Sequence, residues 1–341
     1  MEQLTDRIEM LDLMLRPAFR VKNRIITGLN QPAAKLFLRE GLSLDSILES
    51  GEEEYASFSG GMLCLTVNLC GHSFGATVVR WGEEDIFTLD QQYECEQLRV
   101  LALAARELRG PLSSAMLAAQ QLSGENAPQL LKSLYQLLRI VGNMSDAAGV
   151  NPIFLPEKQN IDAMFREIWE KAAALAQGFR ISYSGLSEES CCFVDRQMME
   201  RAALNMLSNA LKFTPPGGEV QLSLKKSGEQ FRFCVTDTGS GIPEDTRASL
   251  FSRYLREPTI EDTRHGIGLG MLLIRTAATR HRGAVLVDHP AGFGTRITLT
   301  FADAPGAEEG LHANQLRSDY AGEQDHTLIE LSDFLPPECY Q

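Results

Sequence analysis

Residues Asp195 to Lys212 read DRQMMERAALNMLSNALK, and their spacing predicts one helix. Asp195 is a strong N-cap, and Ala203, Met206, Leu207 and Ala210 recur at the interval of a helix that buries one stripe. Asn205, Asn209 and Lys212 follow one another by four and three positions, so they share a second face. Two carboxamides and an ammonium in a row suit a magnesium–phosphate group. Magnesium keeps most of its waters and needs few protein oxygens, and lysine meets phosphate as a point charge. Taken alone, the pattern also fits an amphipathic surface helix with a polar face.

Two glycine clusters downstream decide between these readings. Alternating Phe231, Phe233 and Val235 predict a strand that runs into Asp237-Thr-Gly239-Ser-Gly241-Ile-Pro, and Gly266-Ile-Gly268-Leu-Gly270 follows some twenty-five residues later. The three elements in this order resemble the N, G1 and G2 boxes of the ATP-binding fold shared by histidine kinases, gyrase-type ATPases and Hsp90-type chaperones (the GHKL superfamily). Phe251, in FSRY, resembles the F box at the start of an ATP lid over roughly 247–265, and Gly294-Thr295 resembles the last turn of that fold. The resemblance implies ATP and Mg2+ as cofactors, with Asn209 as the metal ligand, Asn205 beside it and Lys212 on phosphate. Phe213 would pack near the base, and Asp237 would accept the adenine amino hydrogen. Gly239, Gly241, Gly266, Gly268 and Gly270 would let backbone amides approach the nucleotide.

Composition sets the frame. A chain of 341 residues, 44% hydrophobic and 23% charged, predicts two to three globular domains. A net charge of −13 argues against a nucleic-acid or anionic-membrane partner. The seven cysteines are scattered and form no CxxC pair, so neither a zinc site nor a disulfide framework is expected. The start, MEQLTDRIEM, does not read as a signal peptide, and nowhere do eighteen apolar residues run together, so a cytoplasmic protein without a membrane span is expected.

Residues 1–90 alternate short apolar runs with turn signals: PAFRV, Arg24-Ile-Ile-Thr, a short helix from Asn30, then MLCLTVNL, FGATVVRW and DIFTLD. This resembles a PAS domain, a small sensory or dimerising module, with an unrelated α/β domain as the alternative. Residues 91–148 predict a helical hairpin. Its first seam runs Leu98, Leu101, Ala105, Leu108, Leu112, Ala115, Ala119 and Leu122, and its second Leu130, Leu134, Leu137, Val141 and Met144. A lone hairpin cannot bury both seams, so pairing into a homodimeric four-helix bundle is expected.

The hairpin also carries Ala105-Arg106-Glu107-Leu108-Arg109-Gly110-Pro111-Leu112, which resembles the H box of histidine kinases. The position of the phosphoacceptor histidine is Arg106. A guanidinium stays protonated and offers no acceptor lone pair, so Arg106 cannot take a phosphoryl group. Gly110 stands where a Thr or Asn normally positions water, and Glu107, the candidate general base, has no nucleophile to serve.

Residues 149–303 complete the ATP-binding resemblance: a helix over 162–176, a strand from Phe179, a hairpin of Val220–Leu224 with Phe231–Val235, and strands AVLV and TRITLTF. Residues 304–341 begin as the acidic linker ADAPGAEEG and end in the apolar HTLIELSDFLPPECY, a tail expected to dock on the hairpin, the ATP domain or a partner. The fold class is therefore α+β multidomain, with a PAS-like domain, a dimerisation hairpin and a Bergerat-type α/β sandwich. The whole resembles a two-component sensor histidine kinase that binds Mg-ATP without conventional autophosphorylation, a pseudokinase, with a response regulator or another signalling protein as partner. A kinase acting in trans on a partner's histidine and a non-catalytic ATP-gated scaffold are the alternatives. A hydrolase of the superfamily would carry glutamate at position 205, where this chain has asparagine.

Overall fold

The computed structural model describes residues 11, 14, 16–89, 93–147, 154–241, 269–303 and 324–340. Strands β1 (Ala18–Lys22) and β2 (Ile25–Leu29) form an antiparallel hairpin, and α1 (Gln31–Ala34) follows. Asn30 caps α1 by accepting the Ala33 amide at 3.0 Å. The same oxygen accepts from the Ala18 amide, while the side-chain nitrogen donates to the carbonyls of Leu11, Met14 and Arg16. A buried carboxamide with both ends engaged serves the fold. β3 (Leu48–Ser50), α2 (Glu52–Ala56), β4 (Met62–Leu69), β5 (His72–Trp81) and β6 (Glu84–Leu89) complete an antiparallel sheet in the order β2-β1-β6-β5-β4. Its core centres on stacked Phe19 and Phe87, with ring centroids 4.9 Å apart.

Helices α3 (Tyr93–Ala119) and α4 (Ala127–Ala147) form the expected hairpin, and Pro111 sits inside α3. The expected seam residues divide within the single chain. Ala105, Leu112, Met116 and Ala119 meet Leu131, Leu134, Tyr135, Leu138 and Val141 in the core, whereas Leu108, Ala115, Leu122, Leu130 and Leu137 are exposed. Both helices carry two apolar stripes, and periodicity alone does not say which faces inward.

The third unit contains β7 (Glu157–Asn160), α5 (Ile161–Leu175), β8 (Arg180–Ser184), β9 (Cys191–Val194), α6 (Arg196–Phe213), β10 (Glu219–Ser227), β11 (Gln230–Asp237), α7 (Leu269–Arg280), β12 (Val285–Asp288) and β13 (Arg296–Phe301). Its mixed sheet runs β12-β13-β11-β10-β8, parallel only at β8–β10, and β7 pairs with β9 apart from it. Val220, Leu222, Leu224, Phe231, Phe233 and Val235 alternate inward, as a half-covered sheet requires. Phe165 of α5 stacks on Phe233 at 4.0 Å between centroids.

Two connections cross the boundaries drawn from sequence. β4 pairs antiparallel with β12 (Cys64 opposite Val285, Leu63 opposite Leu286, Met62 opposite Val287), so one 11-stranded sheet runs from the first unit through the third. Gly61, at φ +85°, permits this: a Cβ there would lie 2.5 Å from the Val287 carbonyl oxygen. The chain end then folds back as α8 (His326–Glu330) and a 3-10 turn at Pro337–Cys339. Its Ile329, Leu331, Leu335 and Tyr340 are buried against α4, α5 and α6, so the tail docks on the hairpin and on the third unit at once.

Candidate functional site

Helix α6 is anchored at its N-terminus. Asp195 accepts the Met198 amide with one carboxylate oxygen and the Leu155 amide with the other, at 3.0 and 3.1 Å. Its own amide donates to Nε2 of the fully buried His281 at 2.9 Å, while Nδ1 of that ring lies 2.7 Å from the Ala277 carbonyl. The partners fix the tautomer: Nδ1 donates, Nε2 accepts, and the ring is neutral. Burial pushes its pKa below the usual histidine value.

Along α6, the three residues expected on one face reach different neighbours. Asn205 is buried; its nitrogen donates to the Arg201 carbonyl at 2.9 Å and to Glu330 of α8 at 3.3 Å. Asn209, half-buried, meets the Met271 sulfur at 3.6 Å. The Lys212 ammonium lies 5.7 Å from the centre of the Phe213 ring, which is itself exposed.

Asp237 ends β11 and is buried. Oδ1 accepts the amides of Gly239 at 2.8 Å and Thr295 at 3.1 Å, while Oδ2 bonds to no described residue. Burial raises its pKa above the usual carboxylate value, and the two amide hydrogen bonds work against that rise. Four of the glycines also sit where the protein packs closely on itself. A Cβ on Gly239 would lie 2.4 Å from the Phe213 carbonyl oxygen, and one on Gly294 would lie 2.3 Å from Asp237 Oδ1. One on Gly241 (φ +74°) would lie 2.9 Å from the His289 ring, and one on Gly270 would lie 2.7 Å from Asn205 Oδ1. At these four positions glycine lets protein close on protein around the site.

The structure therefore assembles two adjoining groups. Phe213, Asp237, Gly239 and Thr295 form one, and Asn205, Asn209, Gly270 and Met271 form the other at the start of α7. Phe251, Gly266 and Gly268 lie outside the described residues. Arg106 and Glu107 are exposed on α3, about one turn beyond Leu101 and Ala102, which pack with Leu269 and Leu272 of α7. Among the described residues no cluster of three or more His, Cys, Asp or Glu side chains is arranged to hold a metal. No helix among them is long and apolar enough to cross a membrane. Sequence reading missed Glu330; its signal was a carboxylate flanked by apolar residues, Ile329 and Leu331, inside LIELSDFL.

Residues 194–305 match the family described as histidine kinase-, DNA gyrase B-, and HSP90-like ATPase. They form a histidine kinase-like ATPase domain. This domain begins beside the Asp195 cap and ends beyond β13, so α8 lies outside it. The chain is homologous to sensory kinases. It is 24% identical over 273 residues to the adaptive-response sensory kinase SasA of Trichormus variabilis, covering 71% of this chain and 67% of that protein. To SasA of a Nostoc species it is 24% identical over 237 residues, covering 60% of this chain and 58% of that one. Hybrid signal transduction histidine kinase D of Dictyostelium discoideum is 28% identical over 207 residues, 56% of this chain and 13% of its own length. The crystal structure of full-length ShkA in complex with AMPPNP superposes with a TM-score of 0.50 at 27% identity, covering 60% of this chain and 46% of that one. The chain thus spans about two thirds or less of the length of these kinases.

Proposed function

We propose that the chain is a homodimeric, cytoplasmic signalling protein of the two-component sensor kinase type that binds Mg-ATP and does not phosphorylate its own hairpin. The geometry of Asp237 carries the nucleotide reading. A buried carboxylate has one oxygen held by two backbone amides and the other bonded to no described residue, and Phe213 and Thr295 adjoin it. Oδ2 would accept the adenine amino hydrogen, and the exposed Phe213 ring would lie beside the base. Asn209 would supply one oxygen to magnesium that arrives with the phosphates, and Lys212 would meet a phosphate oxygen. The residues fit that group because magnesium carried by a triphosphate needs no carboxylate cluster. The match to the ATPase family and the likeness to a structure complexed with AMPPNP support the same ligand.

The chemistry stops at the hairpin. Arg106 presents a protonated guanidinium where a nucleophilic nitrogen is needed, and Glu107 has no histidine to deprotonate. The first unit, an antiparallel sheet with short flanking helices, supports a PAS-like sensory role, and its pairing through β4 and β12 would carry its state to the ATP domain. The exposed Val100, Leu103, Leu108, Leu117, Leu130, Leu137 and Ile140 leave an apolar surface on the hairpin that a second copy would cover. A response regulator or another signalling protein is the partner this reading implies.

The test is incubation of the purified chain with γ-labelled ATP, alone and with candidate response regulators. The wild type is expected to take up no acid-labile phosphate, and Arg106→His is expected to take up label on the new histidine. Phosphohistidine in the wild-type chain would refute the reading.

A further inference from the structure

The C-terminal segment places a fully buried carboxylate against the ATPase domain. Glu330 Oε2 accepts from Asn205 Nδ2 at 3.3 Å and from Arg139 Nε of α4 at 3.3 Å, and Oε1 lies 3.4 Å from Arg201 Nε. Arg139 also donates to Ser208 of α6 at 2.9 Å and pairs with Asp333. Arg201 bonds to Asn143 of α4 at 2.7 Å and pairs with Asp146. The carboxylate is thus the shared partner of the hairpin and the helix that bears Asn205 and Asn209.

This arrangement determines which way the Asn205 amide points. Both groups facing one end of it, the Arg201 carbonyl and the Glu330 carboxylate, are acceptors. That end must be the NH2, because the reversed amide would set oxygen against two oxygens. The carbonyl oxygen is then directed to the start of α7, where the Gly270 backbone comes so close that a Cβ would lie 2.7 Å from it. Asn209, one turn along, borders the same turn through Met271.

We propose that Glu330 is a positioning residue of the nucleotide site, fixing the Asn205 oxygen at its magnesium–phosphate end, so that residues 324–340 support a site that includes Asn205, Asn209, Asp237 and Thr295. This rests on the Mg-ATP reading given above. Nucleotide and tail are then coupled, and the coupling is reciprocal: each raises the affinity of the site for the other by the same factor.

The test uses the full chain and two ligands. Mg-ATP engages both ends of the site, whereas adenosine without metal engages only the Asp237 end. Glu330→Ala is expected to raise the Kd for Mg-ATP about tenfold, within the usual range for coupled sites, and to leave the Kd for adenosine within about twofold. Glu330→Gln keeps an acceptor oxygen for Asn205 and is expected to restore most of the Mg-ATP affinity. Equal losses for both ligands, or Mg-ATP binding in Glu330→Ala like that of the wild type, would overturn the positioning role while leaving the nucleotide reading intact. Failure of the wild type to bind either ligand would overturn both. If Glu330→Ala does not fold, hydrogen exchange of the wild type decides. Mg-ATP is expected to slow exchange across 324–340, and unchanged or faster exchange overturns the coupling.

Discussion

Asp237→Asn separates the binding role of this residue from its role in the fold. Asparagine keeps an oxygen where Oδ1 accepts the Gly239 and Thr295 amides at 2.8 and 3.1 Å, so the turn is retained. The change falls on the other atom, where an NH2 replaces Oδ2 and meets the adenine amino group donor to donor. Leaving a buried polar group unpaired costs about 1–3 kcal/mol, which is roughly a 5- to 140-fold rise in Kd at about 1.4 kcal/mol per tenfold. Without nucleotide the effect has the opposite sign. Burial raises the pKa of this carboxyl, so the folded chain holds the proton more tightly than the unfolded chain does. Its contribution to stability is therefore lost as pH rises from the ordinary carboxylate value through the folded one, and at neutral pH the charge opposes folding. The neutral variant is expected to melt at or above the wild-type temperature when free, yet gain less from added Mg-ATP. Calorimetric titration and thermal melts at pH 7 measure the two effects. A Kd within twofold of wild type, or a free-state melting temperature that falls together with affinity, would refute the assignment.

The hairpin surface and the buried histidine give two more expectations. Leu137 is 49% exposed, so Leu137→Glu should cost the protomer little while placing a charge in the apolar face assigned to dimerisation. Light scattering after gel filtration is expected to show a monomer that still binds Mg-ATP, and a persistent dimer would place the interface elsewhere. His281 is held neutral by burial with its pKa lowered, so its contribution is fully present above the unfolded value of about 6.5 and lost as pH falls below it. Urea denaturation at pH 7.5 and 5.5 should show a smaller loss of stability for His281→Gln than for the wild type; equal losses would exclude His281 as a source of the pH dependence.

Much of the ATPase domain is legible in local pattern. The Asp195 cap, the stripe of Ala203, Met206, Leu207 and Ala210, and the alternation of Phe231, Phe233 and Val235 each follow from a period that one element imposes on its own residues. The hairpin of α3 and α4 and the strands MLCLTVNL and EDIFTL are legible for the same reason. Relations between elements are not. Asn205, Asn209 and Lys212 share a face by spacing, yet a helix face is wide enough to meet three neighbours, and packing sends Asn205 to Glu330, Asn209 to Met271 and Lys212 to Phe213. Which stripe of the hairpin the protomer itself buries, with Met116 and Leu131 inside and Leu108 and Leu130 exposed, depends on what each apolar stripe finds opposite it. The pairing of β4 with β12 depends on two strand edges meeting across more than two hundred residues, and backbone hydrogen bonds carry no side-chain code for their partner. Sequence determined the elements and the chemistry available on them. Only the tertiary structure decided which carboxylate faces which carboxamide, because burial and distance arise when separate elements close on one another.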